Sequence, residues 1–79
     1  ASAALVSCAD KLHNARAILS DLRDIGEDLW GRFTGGKKGT LWYYRSLADA
    51  FDKILPNRLT DELRRTVGKI EKLAQQGGQ

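Results

Sequence analysis

The chain holds one histidine, one cysteine and one proline among its 79 residues, and it has no long uninterrupted apolar run. Each shortage excludes something. With His13 as its only imidazole, the chain cannot assemble a catalytic metal centre unaided, because one imidazole beside one carboxylate and one amide leaves too few protein ligands. With Cys8 as its only thiol, it cannot form an internal disulfide. Cys8 falls on the apolar face of a helical pattern, so it reads as a buried thiol in a reducing compartment, and cytoplasm is the location expected. Without an apolar run of spanning length no transmembrane segment is expected, and no membrane partner. A formal charge of +3 is modest, and Lys and Arg alternate with Asp and Glu along most of the chain, which gives nucleic-acid binding little support. At this length the chain is near the lower limit for burying an adequate core without disulfide or metal, so a second domain is excluded and a partner surface is expected.

What is present is helical periodicity. Leu5, Cys8, Leu12, Ala15, Leu19 and Leu22 follow the three-and-four spacing of one helix face. The spacing predicts a helix from near Ser2 to near Ile25, roughly 35 Å long at 1.5 Å per residue, ending or bending at Gly26. On the nearly opposite side lies a second stripe, Ala3, Val6, Asp10, Asn14 and Ala17, so the N-terminal half of this helix is expected to lie between two surfaces. Residues 27–33 read as a short helix or turn carrying Trp30 and Phe33, and residues 34–39 as a loop rich in Gly and Lys. Thr40 is the expected N-cap of a second helix with Tyr44, Leu47, Ala48, Phe51, Ile54 and Leu55 on one face, stopping at Pro56. A third helix from Asn57 or Thr60 uses Leu59, Leu63, Val67, Ile70 and Leu73 before fraying at Gln75. The expected fold class is all-α, with three main helices and a short helical turn in one domain over residues 1–76, followed by a flexible tail over 77–79.

The densest chemistry lies in Ala9-Asp10-Lys11-Leu12-His13-Asn14. Asp10 and Asn14 stand one turn apart on one side of the helix, and His13 lies about 60° from Asp10 on the wheel. An Asp carboxylate there can bind a divalent cation, and the imidazole can either share the metal or turn to a hydrogen bond. Spacing alone favours a hydrogen-bonded structural cluster over a metal site.

Residue identity shifts that balance. The string from Ser7 to Arg16 resembles the final metal-ligand helix of the HD-domain metal-dependent phosphohydrolases, in particular the branch with guanosine tetra- and pentaphosphate hydrolases and their small stand-alone relatives. The segment Gly39-Thr40-Leu41-Trp42-Tyr43-Tyr44-Arg45-Ser46-Leu47 is similar to the helix that follows in the small stand-alone members. The resemblance implies that Asp10 is the last aspartate ligand of a site otherwise made by an upstream His and an adjacent His-Asp pair. It implies that Asn14 contacts a nucleotide substrate, that Tyr43 lines the same pocket, and that His13 supports the site or packs. The implied cofactor is a divalent metal, usually manganese, which polarises a phosphoryl oxygen and supplies a water nucleophile. The upstream ligands are absent from this sequence. The reading is therefore of the C-terminal half of such an enzyme, expected to be inactive alone, to bind no metal firmly and to self-associate through apolar helix faces. The competing reading is a small helical protein-interaction module with no catalytic role.

Weaker signals complete the inventory. The stretch Gly31-Arg32-Phe33-Thr34-Gly35-Gly36-Lys37 matches Gly-x-x-x-x-Gly-Lys, but Lys38 stands where Ser or Thr is required and no strand precedes it, so it reads as a chance match. Lys37 and Lys38, expected ahead of a helix N-terminus, suit a solvated loop better than a phosphate contact. Trp30, Phe33, Trp42, Tyr43, Tyr44 and Phe51 read as core and interface rather than as a base-stacking platform. Arg16, Arg23, Arg32 and Arg45 read as surface or pairing residues, and Lys11 as pairing on the helix surface.

Overall fold

A computed structural model describes residues 3–77, and it is all-α. Helix α1 spans Ala3–Ile25, a 3-10 turn spans Gly26–Arg32, α2 spans Gly36–Ile54 and α3 spans Arg58–Gly77. The expected start of the first helix at Ser2 and the end of the tail at Gly78 and Gln79 lie outside the described residues. Ion pairs give the directions. Lys37 reaches the carbonyl of Ala74, Arg45 reaches Glu71 and Arg64 reaches Asp52, so α2 runs antiparallel to α3. Arg16 meets Glu62, while Leu19 and Arg23 lie beside Leu73 and Gln76, so α1 runs alongside α3 in the same sense. The result is an up-down-up bundle with overall dimensions of 40 × 20 × 19 Å.

The core follows the sequence periodicity. Cys8, Leu12, Ala15, Leu19 and Leu22 of α1 are buried together with Ile18, against Leu63, Val67, Ile70 and Ala74 of α3 and Ala48 and Phe51 of α2. Leu29 and Trp30 close the bundle from the 3-10 turn. Burying a large apolar side chain contributes about 1.5–3 kcal/mol, and most of that driving force here lies between α1 and α3. Gly26, with a φ of 67°, stops α1 where a side chain would be strained.

Three local expectations are corrected. The segment 34–39 is not all loop, because α2 already begins at Gly36. Gly36 takes a φ of 65°, and a Cβ on Gly35 would come within 3.2 Å of the Gly39 Cα, so the glycines make a tight entry turn rather than a flexible connection. Thr40 is consequently not an N-cap but a buried residue inside α2, and Gly35 flanks the helix without a side-chain cap. Ile54 is exposed, because α2 ends there before Leu55 and Pro56. The third helix begins at Arg58, between the two starts expected, Asn57 and Thr60, and Asn57 caps it. Its Oδ1 accepts hydrogen bonds from the Leu59 and Thr60 amides at 2.7 and 3.3 Å, and the Thr60 hydroxyl accepts one from the Asn57 amide at 2.9 Å. This reciprocal cap satisfies amides that the helix itself leaves open. At its other end α3 stays helical through Gln75 and Gln76 to Gly77.

Candidate functional site

The residues that bury Cys8, Leu12 and Ala15 turn the opposite side of α1 away from the core. That side is the stripe of Ala3, Val6, Asp10, Asn14 and Ala17. Ala3, Val6, Asp10 and Ala17 are exposed, and Asn14 is half-buried. Among the described residues only one of the two expected surfaces against α1 is therefore present. The Asp10 side chain is 64% exposed, and among the described residues its one ion-pair partner is its neighbour Lys11, with Nζ at 3.9 Å, the outer limit of an ion pair. His13 is exposed. No three His, Cys, Asp or Glu side chains converge among the described residues. The donors present here thus do not by themselves fit a metal ion; Asp10 offers one open carboxylate and nothing more.

Tyr43 lies on α2 with its ring edge-on to Tyr44, the centroids 5.2 Å apart and the planes at 88°. Such an edge-to-face pair is favoured by the ring quadrupoles. The Tyr44 phenol is pushed up from its ordinary acidity first by burial, then by Tyr43, then by the Asp10 carboxylate. Asp10 and the tyrosine pair therefore share one electrostatic neighbourhood. Tyr43, Tyr44, Phe33 and Thr40 line an open groove of about 500 Å3 at the entry to α2, with Trp42 on its rim. Asn14 does not line this groove. No hydrogen bond or ion pair joins Asp10, Asn14 and Tyr43 among the described residues.

Two features escaped the reading of the sequence. Lys37 is not a free loop lysine: its Nζ donates to Glu27 Oε1 at 2.6 Å and to the Ala74 carbonyl at 2.9 Å, while the Trp30 indole N–H donates to Glu27 Oε2 at 2.8 Å. One lysine thus ties the 3-10 turn, α2 and α3 together. The i, i+3 spacing of Glu27 and Trp30 was a local signal for half of this clamp, but nothing local pointed to Ala74. Trp42, expected in the core or at an interface, is 70% exposed and so is not core. The pairing of arginines is as expected for Arg16 with Glu62, Arg32 with Asp21, and Arg45, which forms a two-pronged bond to Glu71 at 3.0 and 2.7 Å. Cys8 is fully buried, and burial pushes its thiol up.

No protein-family model matches the chain, and no curated protein or solved structure matches it either. No helix among the described residues is long and apolar enough to cross a membrane.

Proposed function

We propose that this chain contributes one carboxylate ligand, Asp10, and one wall of a substrate pocket to a metal-dependent nucleotide phosphohydrolase of the HD-domain kind. The resemblance of the Asp-Lys-Leu-His-Asn string supports the reading. The observation that carries it is the open stripe of α1. A well-packed small helical protein has little reason to keep Val6 at 64% exposure in line with Ala3, Asp10 and Ala17, unless that side receives another element. In this reading the covering element brings the upstream His and the His-Asp pair to Asp10. Asn14, on the next turn, contacts substrate, and Tyr43 lines the same pocket beside Tyr44. Until it is covered, the stripe associates with a second copy of itself.

The same observation supports the competing reading, a helical interaction module, because any apolar partner could cover the stripe. The encoding gene separates the two. The phosphohydrolase reading expects codons for a His and then an adjacent His-Asp pair upstream of Ala1, and a protein expressed with them that binds manganese in the wild type and loses it in Asp10→Asn. An upstream sequence without these residues, or full metal content in that variant, leaves the interaction module.

A further inference from the structure

The cations of this chain are not evenly used. Lys11, Arg16, Arg32, Lys37, Arg45, Arg64 and Arg65 each pair with a carboxylate. Arg23, Lys38, Lys53, Arg58, Lys69 and Lys72 form no ion pair or side-chain hydrogen bond among the described residues, and three of these six, Arg23 of α1 and Lys69 and Lys72 of α3, line one groove of about 170 Å3 between the two helices. Among the described residues no carboxylate lines it. Leu19, Leu73 and Gln76 complete its lining. Like charges held on two packed helices repel one another, and an anion is the group that would relieve them.

Lys72 also forms the wall of a second groove, of about 530 Å3, between α2 and α3. The exposed indole of Trp42 stands on its far side. Glu71 lines this groove too, its carboxylate held by Arg45 in the two-pronged bond, and Asp49 stands 3.6 Å from the same arginine, so these three groups leave one negative charge on that side of the groove. An exposed aromatic face, a shared lysine and two further unpaired cations therefore lie along one continuous strip across the bundle.

We infer that this strip binds a free nucleotide, with the phosphates on Arg23, Lys69 and Lys72 and the base against Trp42. Stacking on an indole and charge-assisted bonds from lysine and arginine are the two interactions such a ligand offers. A single nucleotide fits better than a nucleic-acid strand because only one exposed ring borders the cations. Tyr43, the next residue, lines the groove with Phe33 and Thr40, which Trp42 borders as well, and it does not line the groove that Trp42 shares with Lys72. The strip is separate from the Asp10 stripe: Arg23 lies about 20 Å further along α1 and about 140° around it. The inference is independent of the proposed phosphohydrolase reading.

The test is a fluorescence titration of the whole chain in chelator, so that no divalent metal contributes, with ADP, inorganic pyrophosphate, adenosine and a thymidine 15-mer as separate probes. ADP is expected to quench the exposed Trp42 and to bind more tightly than either pyrophosphate or adenosine. Lys69→Gln with Lys72→Gln is expected to weaken ADP and pyrophosphate by about tenfold, the scale of a lost charge-assisted hydrogen bond. Trp42→Ala is expected to weaken ADP and leave pyrophosphate unchanged, followed by heat capacity or calorimetry because the reporter is then gone. Circular dichroism checks that these exposed substitutions leave the helices intact. Equal affinity for ADP and pyrophosphate, no response to the lysine substitutions, or oligonucleotide binding tighter than ADP at low and high salt overturns the inference. Asp10→Asn is expected to leave the titration untouched. Loss of ADP binding in Asp10→Asn moves the nucleotide to the α1 stripe and overturns the strip while leaving the phosphohydrolase reading standing.

Discussion

The two ends of α1 are built in opposite ways. At its C-terminal end the bundle is closed: Leu22 is buried, Leu29 and Trp30 fold over the core from the 3-10 turn, and Lys37 binds the turn to α3 through Glu27 and the Ala74 carbonyl. Lys37, Glu27 and the Trp30 indole are committed to one another there. In its N-terminal half only the Cys8 and Leu12 side is covered, and the other side leaves Val6 and the Asp10 carboxylate open. The closed end shows what this chain does with charge when it can satisfy it within its own fold: it buries the stem and pairs the head. The open stripe has no such arrangement, and that contrast is what marks it as a surface for something else.

The largest effect that tests the contrast is a paired truncation. Leu63 is fully buried between α3 and α1, and Leu63→Ala is expected to destabilise by about 2–5 kcal/mol, the range for removing a core leucine and leaving a cavity. Val6→Ser, on the open side, is expected to change stability by no more than about 0.5 kcal/mol while reducing any self-association seen by sedimentation. Urea denaturation of both variants measures the first quantity directly. A large loss in Val6→Ser would mean that the stripe is already covered and that the two ends are not different in kind.

The second effect concerns the start of α3, far from both grooves. Asn57→Ala removes the side-chain oxygen that accepts the Leu59 and Thr60 amides, and the expected cost is about 0.5–2 kcal/mol. Asn57→Asp should retain most of the stability, since a carboxylate also accepts from those amides and suits the positive end of the helix dipole.

How much of this was readable in the chain divides along the same line. The buried face of α1 and that of α3 were legible because burial repeats every three to four residues, and Cys8, Leu12, Leu63 and Val67 obey that period. The start of α3 was legible to within a turn because Pro56 ends α2 and the apolar period resumes at Leu59, whereas the reciprocal Asn57–Thr60 cap appears only in the structure. The start of α2 was not. A Gly- and Lys-rich stretch has the composition of a loop, and it becomes helix because Gly36 can take a positive φ and because Lys37 finds acceptors on two other elements. Those acceptors are remote in sequence, so no local pattern announces them. For the site, the exposure of Asp10 followed from its position opposite the core face, whereas the convergence of Arg23, Lys69 and Lys72 depends on how α1 packs on α3.

The third effect is read through pH. The Glu27 carboxyl is held below the usual carboxylate range, first by the Lys37 hydrogen bond, then by the Trp30 indole, with a smaller opposing effect of burial and a further lowering by the Lys37 charge. Its folded value is below its unfolded value of about 4.3. The stabilisation is therefore fully present above that unfolded value and is lost as pH falls through the lower, folded one. Melting temperature followed from pH 6 downwards should fall less steeply in Glu27→Gln than in the wild type, and the two curves should differ most at neutral pH. Identical slopes would show that the clamp at the closed end forms no stronger a bond than a surface pair.

The smallest effect is expected at Asp10. Its side chain is mostly in water, its one neighbouring cation is at the limit of pairing, and an exposed ion pair of that kind contributes about 0–1 kcal/mol at most. Asp10→Asn in this chain is therefore expected to leave the denaturation midpoint within experimental error, whereas, under the proposed phosphohydrolase reading, the same substitution in a protein extended by a His and a His-Asp pair should remove bound manganese and hydrolysis together. A residue held for stability would show the reverse, a shifted midpoint here and retained metal there. Asn14→Ala sharpens the same comparison: it leaves the carboxylate in place, so metal content should stay normal while the use of a nucleotide substrate falls by about the worth of one hydrogen bond, 0.5–1.5 kcal/mol. Metal content measured beside steady-state kinetics separates a ligand from a substrate contact, and loss of metal in Asn14→Ala would mean that these two positions on adjacent turns of α1 do not divide the work in the way the open stripe suggests.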